Sequence, residues 1–218
     1  MKRIKRRQLK EDEFVSTFTK FLRFAKRRTR ELTAAGIILV VLVSVFLVIR
    51  AFHARTVMRE SALLARILEI SAELQKNPER VSELEELAGK GRFARLAYLK
   101  LAAYSFEKKD TEKAESYLQK IGPEKKDLIY YQAQDLLAQV HMARGEYDKA
   151  IAIYRQIEKE NPEDYTLDPV LFRMARAHEE KGEIDVALDL YRRVEEEFPQ
   201  TYFGYDASQK VRELEGKK

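Results

Sequence analysis

The chain is continuously apolar in one segment and only periodically apolar elsewhere. Residues 32–49 contain no charged side chain, and the apolar run can extend to Phe52. Eighteen helical residues span about 27 Å, close to the ~30 Å hydrocarbon core of a bilayer. Core helices of soluble proteins are seldom apolar on every side over so many turns. The pattern therefore predicts one transmembrane helix at residues 32–52.

A cleaved signal peptide is the alternative to a permanent anchor, and the flanking sequence argues against it. The basic segment before the apolar run is long, and residues 50–54 lack small side chains at alternate positions. Signal peptides usually have a shorter apolar stretch and a small-residue cleavage site. Neither Gly nor Pro occurs between Gly36 and Pro78, so we expect the membrane helix to continue into a stalk.

Positive charge is concentrated before the predicted span. Residues 1–31 carry twelve Lys and Arg against four Asp and Glu, and because the whole chain has a net charge of +5, the remainder sums to −3. Basic residues mark the cytoplasmic flank of a span. We therefore expect a bacterial inner-membrane protein with a cytoplasmic N-terminus and a periplasmic C-terminal domain. The basicity does not indicate nucleic-acid binding by that domain.

Residues 12–28 form an amphipathic pattern, with aromatic and aliphatic side chains on one helical face and basic side chains opposite. A helix of this kind would lie on the membrane surface, where its cations meet anionic lipid headgroups. A solvated basic tail without fixed structure is the alternative. The predicted membrane-surface residues are Lys20, Arg23, Lys26, Arg27 and Arg28.

Residues 131–162 repeat when they are laid over residues 168–199, at an offset of 37. A fixed period of this length is typical of stacked helical units. The matched positions combine small, aromatic and turn-forming residues in the same order. They are Leu137/Met174, Ala138/Ala175, His141/His178, Gly145/Gly182, Ala150/Ala187, Tyr154/Tyr191 and Pro162/Pro199.

Each unit resembles a tetratricopeptide repeat, in which small residues at the eighth and twentieth positions let two antiparallel helices pack closely. A degenerate unit begins at Arg95, and residues 204–215 are predicted to form a capping helix. Together with the predicted span, the resemblance implies an all-α chain with a single N-terminal transmembrane helix and a tetratricopeptide-repeat α-solenoid. The predicted boundaries are a basic cytoplasmic segment (1–31), the span (32–52), stalk and capping helices (53–94) and the repeats (95–218).

No arrangement of residues typical of catalysis stands out in the sequence. The chain has no cysteine, which excludes disulfides and thiolate zinc sites. His141 and His178 occupy the same repeat position and are interpreted as packing residues, since two imidazoles without matching carboxylates are weak evidence for zinc. We therefore expect neither an enzyme nor a bound metal or cofactor.

The first helix of each repeat lines the inner surface of such a solenoid, so positions 2, 5, 9 and 12 predict a partner-binding groove. The predicted groove is apolar in the membrane-proximal unit and becomes polar toward the C-terminus. A carboxylate clamp is disfavoured because Asp135 and Gln139 stand where Lys and Asn would be needed. Alternatively, Leu96, Leu99 and Phe106 pack against the stalk. The predicted groove residues are Leu96, Leu99, Ala103, Phe106, Gln132, Asp135, Gln139, Met142, Pro169, Phe172, Arg176 and Glu179.

A more specific resemblance rests on several segments together: residues 10–14 (Lys-Glu-Asp-Glu-Phe), the basic helix, the span, residues 93–102, and Glu112-Lys113-Ala114. The chain looks like the YfgM-like family of membrane-anchored repeat proteins. That resemblance implies an ancillary subunit of the Sec translocon, whose periplasmic repeats connect secreted substrates to chaperones. The expected partners are Sec translocon subunits, periplasmic chaperones or secreted substrates.

The expected function is therefore that of a non-catalytic, membrane-anchored adaptor. A second hypothesis keeps the same architecture and changes the partner. Residues 198–202 (Phe-Pro-Gln-Thr-Tyr) resemble periplasmic envelope-assembly and cell-division coordinators. In that case the chain would be a scaffold that tethers cell-wall machinery.

Overall fold

The computed structural model describes residues 29–89 and 91–216, together with Thr19. The predicted surface helix at 12–28, with Lys20, Arg23, Lys26, Arg27 and Arg28, lies outside these described residues. The described part of the chain is all-α and contains no strand. Its helices are α1 (Thr29–Glu73), a 3₁₀ turn (Pro78–Arg80), α2 (Val81–Ala88), α3 (Ala94–Glu107), α4 (Thr111–Leu118), α5 (Leu128–Ala143), α6 (Tyr147–Glu160), α7 (Asp168–Glu180), α8 (Ile184–Glu197) and α9 (Tyr202–Glu215).

Helix α1 belongs to two compact units, since the chain divides between Glu60 and Ser61. It runs without a break past the predicted span, as the Gly- and Pro-free stretch predicts. From Ile37 onward this helix is long and apolar enough to cross a membrane, and none of its most apolar window is buried inside the protein. A helix with apolar side chains exposed on every side is compatible with a single-pass anchor.

The end of α1 forms part of the repeat domain. Ile67, Ile70 and Leu74 are buried in one cluster with Leu84 of α2 and Leu101 of α3, which we call the stalk core. These positions recur every three or four residues, so they share one face of α1. Burial of a Leu or Ile side chain contributes roughly 1.5–3 kcal/mol, so this face attaches α1 firmly to the first repeat.

Ion pairs close the edge of the stalk core. The guanidinium of Arg80 pairs with the carboxylates of Glu73 on α1 and Glu83 on α2. Arg66 also donates to Glu83, with its Nε 3.0 Å from Oε1. Hydrogen bonds from Arg66 and Arg80 lower the pKa of Glu83. The pairs lie at the surface, so they orient the helices and add little to the free energy of unfolding.

The two regular repeats build a second cluster, the repeat core. Tyr154 on α6 and Tyr191 on α8 are fully buried at equivalent positions. The alanines at the eighth and twentieth repeat positions are also fully buried, and their small side chains allow the paired helices to approach. They are Ala138 and Ala150 in the first regular repeat and Ala175 and Ala187 in the second.

The turn inside each helix pair has the same backbone geometry in all three repeats. Gly145 and Gly182 have φ of 74° and 85°, and Lys109 takes the equivalent place with φ of 62°. Two residues in this left-handed region are glycines, which adopt it without steric cost. The residue after each turn donates its backbone N–H to the fifth residue before it, as from Asp110 to Ser105 at 2.9 Å.

Helix α9 caps the repeat core. Its N-cap Thr201 accepts a hydrogen bond at Oγ1 from the backbone N–H of Gly204, at 3.0 Å. A Cβ atom at Gly204 would lie 1.9 Å from the carbonyl oxygen of Phe198, so only glycine fits there. Phe203 of α9 packs at a tilt against Phe172, with ring centroids 5.3 Å apart. The cap therefore covers the open end of the last repeat.

Candidate functional site

A cleft of about 440 Å³ lies within the repeat domain. It is lined by residues from the end of α3, from α5 and α6, and from α7, so three successive repeats contribute. A cleft of this size is in the range of ligand-binding pockets. The residues that line it are Phe106, Gln139, Met142, Ala143, Tyr147, Tyr154, Arg173, Arg176 and Glu180.

One wall of the cleft is apolar. Phe106 near the end of α3 and Met142 near the end of α5 are both half-buried, and each packs on a hydrophobic core while lining the cleft. Tyr147 at the start of α6 is likewise half-buried. Aromatic and methionine side chains supply large, adaptable contact area. This wall suits an apolar side chain of a partner.

Next to the cleft lies a buried carboxylate, which contacts the lining residues Arg173 and Gln139. Asp135, 7% exposed, accepts hydrogen bonds at Oδ2 from Arg173 Nη1 at 2.7 Å and from the Tyr165 hydroxyl at 2.9 Å. Gln139 Nε2 adds a longer contact of 3.4 Å. Burial raises the pKa of Asp135, although the charge of Arg173 opposes this effect. The pair fixes Arg173 at the edge of the cleft.

Two hydrogen-bond donors of the cleft have no acceptor. Tyr154 is fully buried, and its hydroxyl has no hydrogen-bond partner among the described residues. Burial raises the pKa of this hydroxyl, so it stays protonated and can donate. Arg176 is exposed, and within the described part of the chain no hydrogen bond or ion pair engages its guanidinium. The cleft therefore offers unused donors to a ligand.

The cleft brings together four of the predicted groove residues, namely Phe106, Gln139, Met142 and Arg176. The other predicted residues lie elsewhere. Leu99 is 8% exposed in the stalk core, where Leu96 packs beside it, and Phe172 is 8% exposed in the repeat core. Ala103, Pro169 and Glu179 are half-buried, Gln132 is exposed, and Asp135 is buried behind Arg173.

Five residues that line the cleft were not among the predicted groove positions. Tyr147 and Tyr154 come from the second helix of a repeat, whereas the groove rule considers first helices alone. Arg173, Arg176 and Glu180 follow one another at spacings of three and four on α7. That spacing places the three side chains on one helical face, so Arg173 and Glu180 could have been predicted from it. The fifth residue is Ala143, next to Met142.

The repeated histidines are both buried and both paired with a carboxylate. His141 Nδ1 lies 2.7 Å from Glu146 Oε2, and His178 Nδ1 lies 2.5 Å from Glu183 Oε2. Each glutamate follows the glycine of the turn, so each pair fastens the first helix to the second. The described residues contain no group of three or more His, Asp or Glu that could hold a metal ion.

Comparison with known families agrees with this geometry. A model described as a tetratricopeptide repeat-like domain matches residues 24–169, and a tetratricopeptide repeat model matches residues 141–205. No match was found among curated proteins. The first family model covers about two thirds of the chain, including all of helix α1 and the first regular repeat. The chain therefore belongs to the tetratricopeptide repeat-like domain family.

Proposed function

We propose that this protein is a non-catalytic, membrane-anchored adaptor that binds segments of other proteins in the cleft between its repeats. The observation that carries the proposal is the cleft itself, which combines an apolar wall with unused donors at Tyr154 and Arg176. Tetratricopeptide repeats are interaction modules, and a partly apolar concave site with a few polar groups is typical of a binding site. The anchor raises the local concentration of the cleft near membrane partners.

The partners that we propose are Sec translocon subunits, periplasmic chaperones or secreted substrates, as the YfgM-like resemblance suggests. In this proposal the chain is a single-pass protein of the bacterial inner membrane. The N-terminus is cytoplasmic because the basic residues precede the span, and the repeats face the periplasm. The basic residues Lys20, Arg23, Lys26, Arg27 and Arg28 contact anionic headgroups.

The proposed orientation can be measured because the chain has no cysteine. We expect Ser116→Cys, an exposed position on α4, to react in intact spheroplasts with a maleimide that does not cross membranes. Ser16→Cys should react only after the membrane is permeabilised. The reverse labelling pattern would contradict the periplasmic placement of the repeats.

The adaptor function is tested by filling the cleft. Ala143 is exposed and lines the cleft, so Ala143→Trp should occupy it without disturbing a core. We expect affinity purification of the full chain from native membranes to recover partner proteins with the wild type and to lose them with this variant. Ala152→Trp is the control, since Ala152 is exposed on α6 and does not line the cleft. Equal recovery with all three proteins would contradict the proposal.

A second candidate function is an envelope-assembly or cell-division scaffold. It is favoured by the ordinary tetratricopeptide match of residues 141–205, which covers the second helix of the first regular repeat and the whole second regular repeat but not the stalk. The same purification distinguishes the candidates by the identity of the recovered proteins. Translocon subunits and chaperones support the first, and cell-wall enzymes without translocon subunits support the second.

A further inference from the structure

The polar groups of the cleft favour a negatively charged ligand. Among the described residues, Tyr154 and Arg176 are donors without acceptors. The negative charge of Asp135 acts on the Tyr154 hydroxyl, and the positive charges of Arg173 and Arg176 oppose it. Tyr154 lies on α6 and Arg176 on α7, so adjacent helices present both donors to the same cleft. A buried donor without a partner carries a desolvation cost that a bound acceptor removes. A carboxylate is an acceptor that can engage both groups.

Negative charges near the cleft do not cancel this preference. Asp135 Oδ2 is paired with Arg173 Nη1 at 2.7 Å, Asp135 Oδ1 is buried without a partner among the described residues, and Asp135 does not itself line the cleft. Glu180 is the one carboxylate among the described lining residues, and it is exposed. The cleft thus retains one guanidinium, that of Arg176, whose charge no neighbouring ion pair neutralises.

Phe106 and Met142 of the apolar wall lie on different helices from the two donors. Phe106 and Met142 come from α3 and α5, whereas Arg176 comes from α7. A ligand that reaches both must present an apolar group and a carboxylate at some distance from each other. An extended protein segment that carries an apolar and an acidic side chain meets this requirement, because its alternate residues are about 7 Å apart.

We propose that the cleft recognises an internal acidic side chain in an extended segment of a partner protein. Its carboxylate accepts hydrogen bonds from the Tyr154 hydroxyl and the Arg176 guanidinium, while a nearby apolar side chain packs on Phe106 and Met142. This inference rests on the proposed function and adds the chemical class of the bound segment. An acidic side chain and a chain-terminal carboxylate share the same chemistry, and the lining from three repeats favours the side chain of a continuing segment.

The test uses the full chain in detergent micelles and fluorescent peptides that are acetylated and amidated. Each peptide carries one leucine and one glutamate separated by zero to four serines, and matched peptides carry glutamine instead of glutamate. A third set lacks glutamate and ends in a free carboxylate. We expect the best glutamate peptide to bind about tenfold more tightly than its glutamine match, as for a charge-assisted hydrogen bond. Fluorescence anisotropy measures the affinities.

Two variants assign the effect to the cleft. Arg176→Gln should abolish the preference for glutamate, whereas Arg155→Gln, at an exposed position on α6 outside the cleft, should keep it. Tyr154→Phe should weaken binding of the glutamate peptide by several-fold and leave the glutamine peptide unchanged. Because no described residue is a hydrogen-bond partner of this hydroxyl, Tyr154→Phe should not lower the thermal unfolding midpoint. A role in folding alone would lower the midpoint without changing the preference.

The outcomes separate this inference from the proposed function. Equal binding of glutamate and glutamine peptides would overturn the inference, and so would tighter binding of the free-carboxylate set. If no peptide binds while Ala143→Trp still removes partners from the membrane preparation, acidic recognition is rejected and the adaptor function stands. If no peptide binds and Ala143→Trp changes nothing, both proposals fail.

Discussion

The degenerate repeat and the two regular repeats reach the same turn by different means. In the regular repeats the left-handed position is Gly145 or Gly182, and a buried histidine pairs with the following glutamate. In the degenerate repeat Lys109 adopts the left-handed conformation, and Ser105 stands in place of the histidine. The shared turn is therefore imposed by helix packing as well as by the local sequence.

The two kinds of repeat also complete their cores differently. The second helices of the regular repeats have 14 residues each, whereas α4 of the degenerate repeat has 8. The missing contacts come from outside the repeat, where Ile70 and Leu74 of α1 and Leu84 of α2 enter the stalk core. A degenerate repeat can thus persist because the long helix α1 supplies part of its core. Four predictions test this comparison, from the largest expected effect to the smallest.

Shortening Ile70 removes part of the contribution of α1 to the core of the degenerate repeat. Ile70 is fully buried in the stalk core, so Ile70→Ala should lower the free energy of unfolding by about 2–5 kcal/mol. Hydrogen exchange of the full chain in micelles should then lose protection in α3 and α4 and retain it in α7 to α9. Leu68→Ala is the matched control because Leu68 is 45% exposed on the same helix. Equal loss of protection in all repeats would contradict the account.

The regular repeats should depend on their cap in the same way. Gly204→Ala places a Cβ atom against the backbone oxygen of Phe198, which cannot move as a side chain could. We expect a loss of about 2–3 kcal/mol in chemical denaturation, with faster hydrogen exchange in α8 and α9. Gln209→Ala, at an exposed position of α9, should be nearly neutral. Protection that falls first in α3 would show that the two cores are not separate.

Exchanging the turn residues should have opposite effects in the two kinds of repeat. Gly145→Ala should destabilise the protein by about 1 kcal/mol through backbone strain, since nothing lies within 4 Å of the added Cβ atom. Lys109→Gly should stabilise it by about 1 kcal/mol because it relieves the same strain. Thermal unfolding of the full chain measures both. Effects of the same sign would disprove the shared turn geometry.

The smallest effect concerns Glu160 at the end of α6, whose carboxylate accepts hydrogen bonds from Lys126 and Tyr131. Hydrogen bonds from Lys126 and Gln156 lower the pKa of Glu160 to about 2, and the Tyr131 hydroxyl donates to it at 2.9 Å. A carboxylate whose pKa is lowered in the folded state stabilises the fold at pH values above its ordinary pKa. That stability disappears as the pH falls toward 2. Solvent screening limits the contribution to about 1 kcal/mol or less.

Glu160→Gln should therefore reduce stability at pH 7 and flatten the decline of stability between about pH 4.5 and 2. Denaturant titrations of the full chain at several pH values measure this difference. Glu163→Gln is the control, because Glu163 is exposed in the following loop. If the stability of Glu160→Gln declines with falling pH as steeply as that of the wild type, other groups cause the acid sensitivity.

The all-α repeat fold could be predicted from the sequence because its evidence is local. The 37-residue offset aligned Gly145 with Gly182 and Tyr154 with Tyr191, and the structure places each pair in equivalent turns and cores. Likewise, the absence of Gly and Pro after Gly36 predicted the unbroken helix α1. These features depend on residue type and spacing within a single unit.

The cleft could be predicted only in part because it depends on neighbouring units. Counting positions within one repeat found Phe106, Gln139, Met142 and Arg176, which do line the cleft. Positions within one repeat contain no information about α1 and α2, which share the stalk core with Leu99. They also contain none about Phe203 of α9, which covers Phe172. The groove rule also omits second helices, so it missed Tyr154. Burial at such positions is decided by contacts between elements distant in the sequence.

The central claim is that the cleft binds protein segments at the membrane. A photo-crosslinking amino acid placed at Met142 of the full chain in native membranes tests it most directly, with the same amino acid at Arg155 as the control outside the cleft. We predict discrete protein adducts from position 142 that disappear in the Ala143→Trp background, and none of these adducts from position 155. Adducts that are equal at both positions, or that contain only lipid, would contradict the claim.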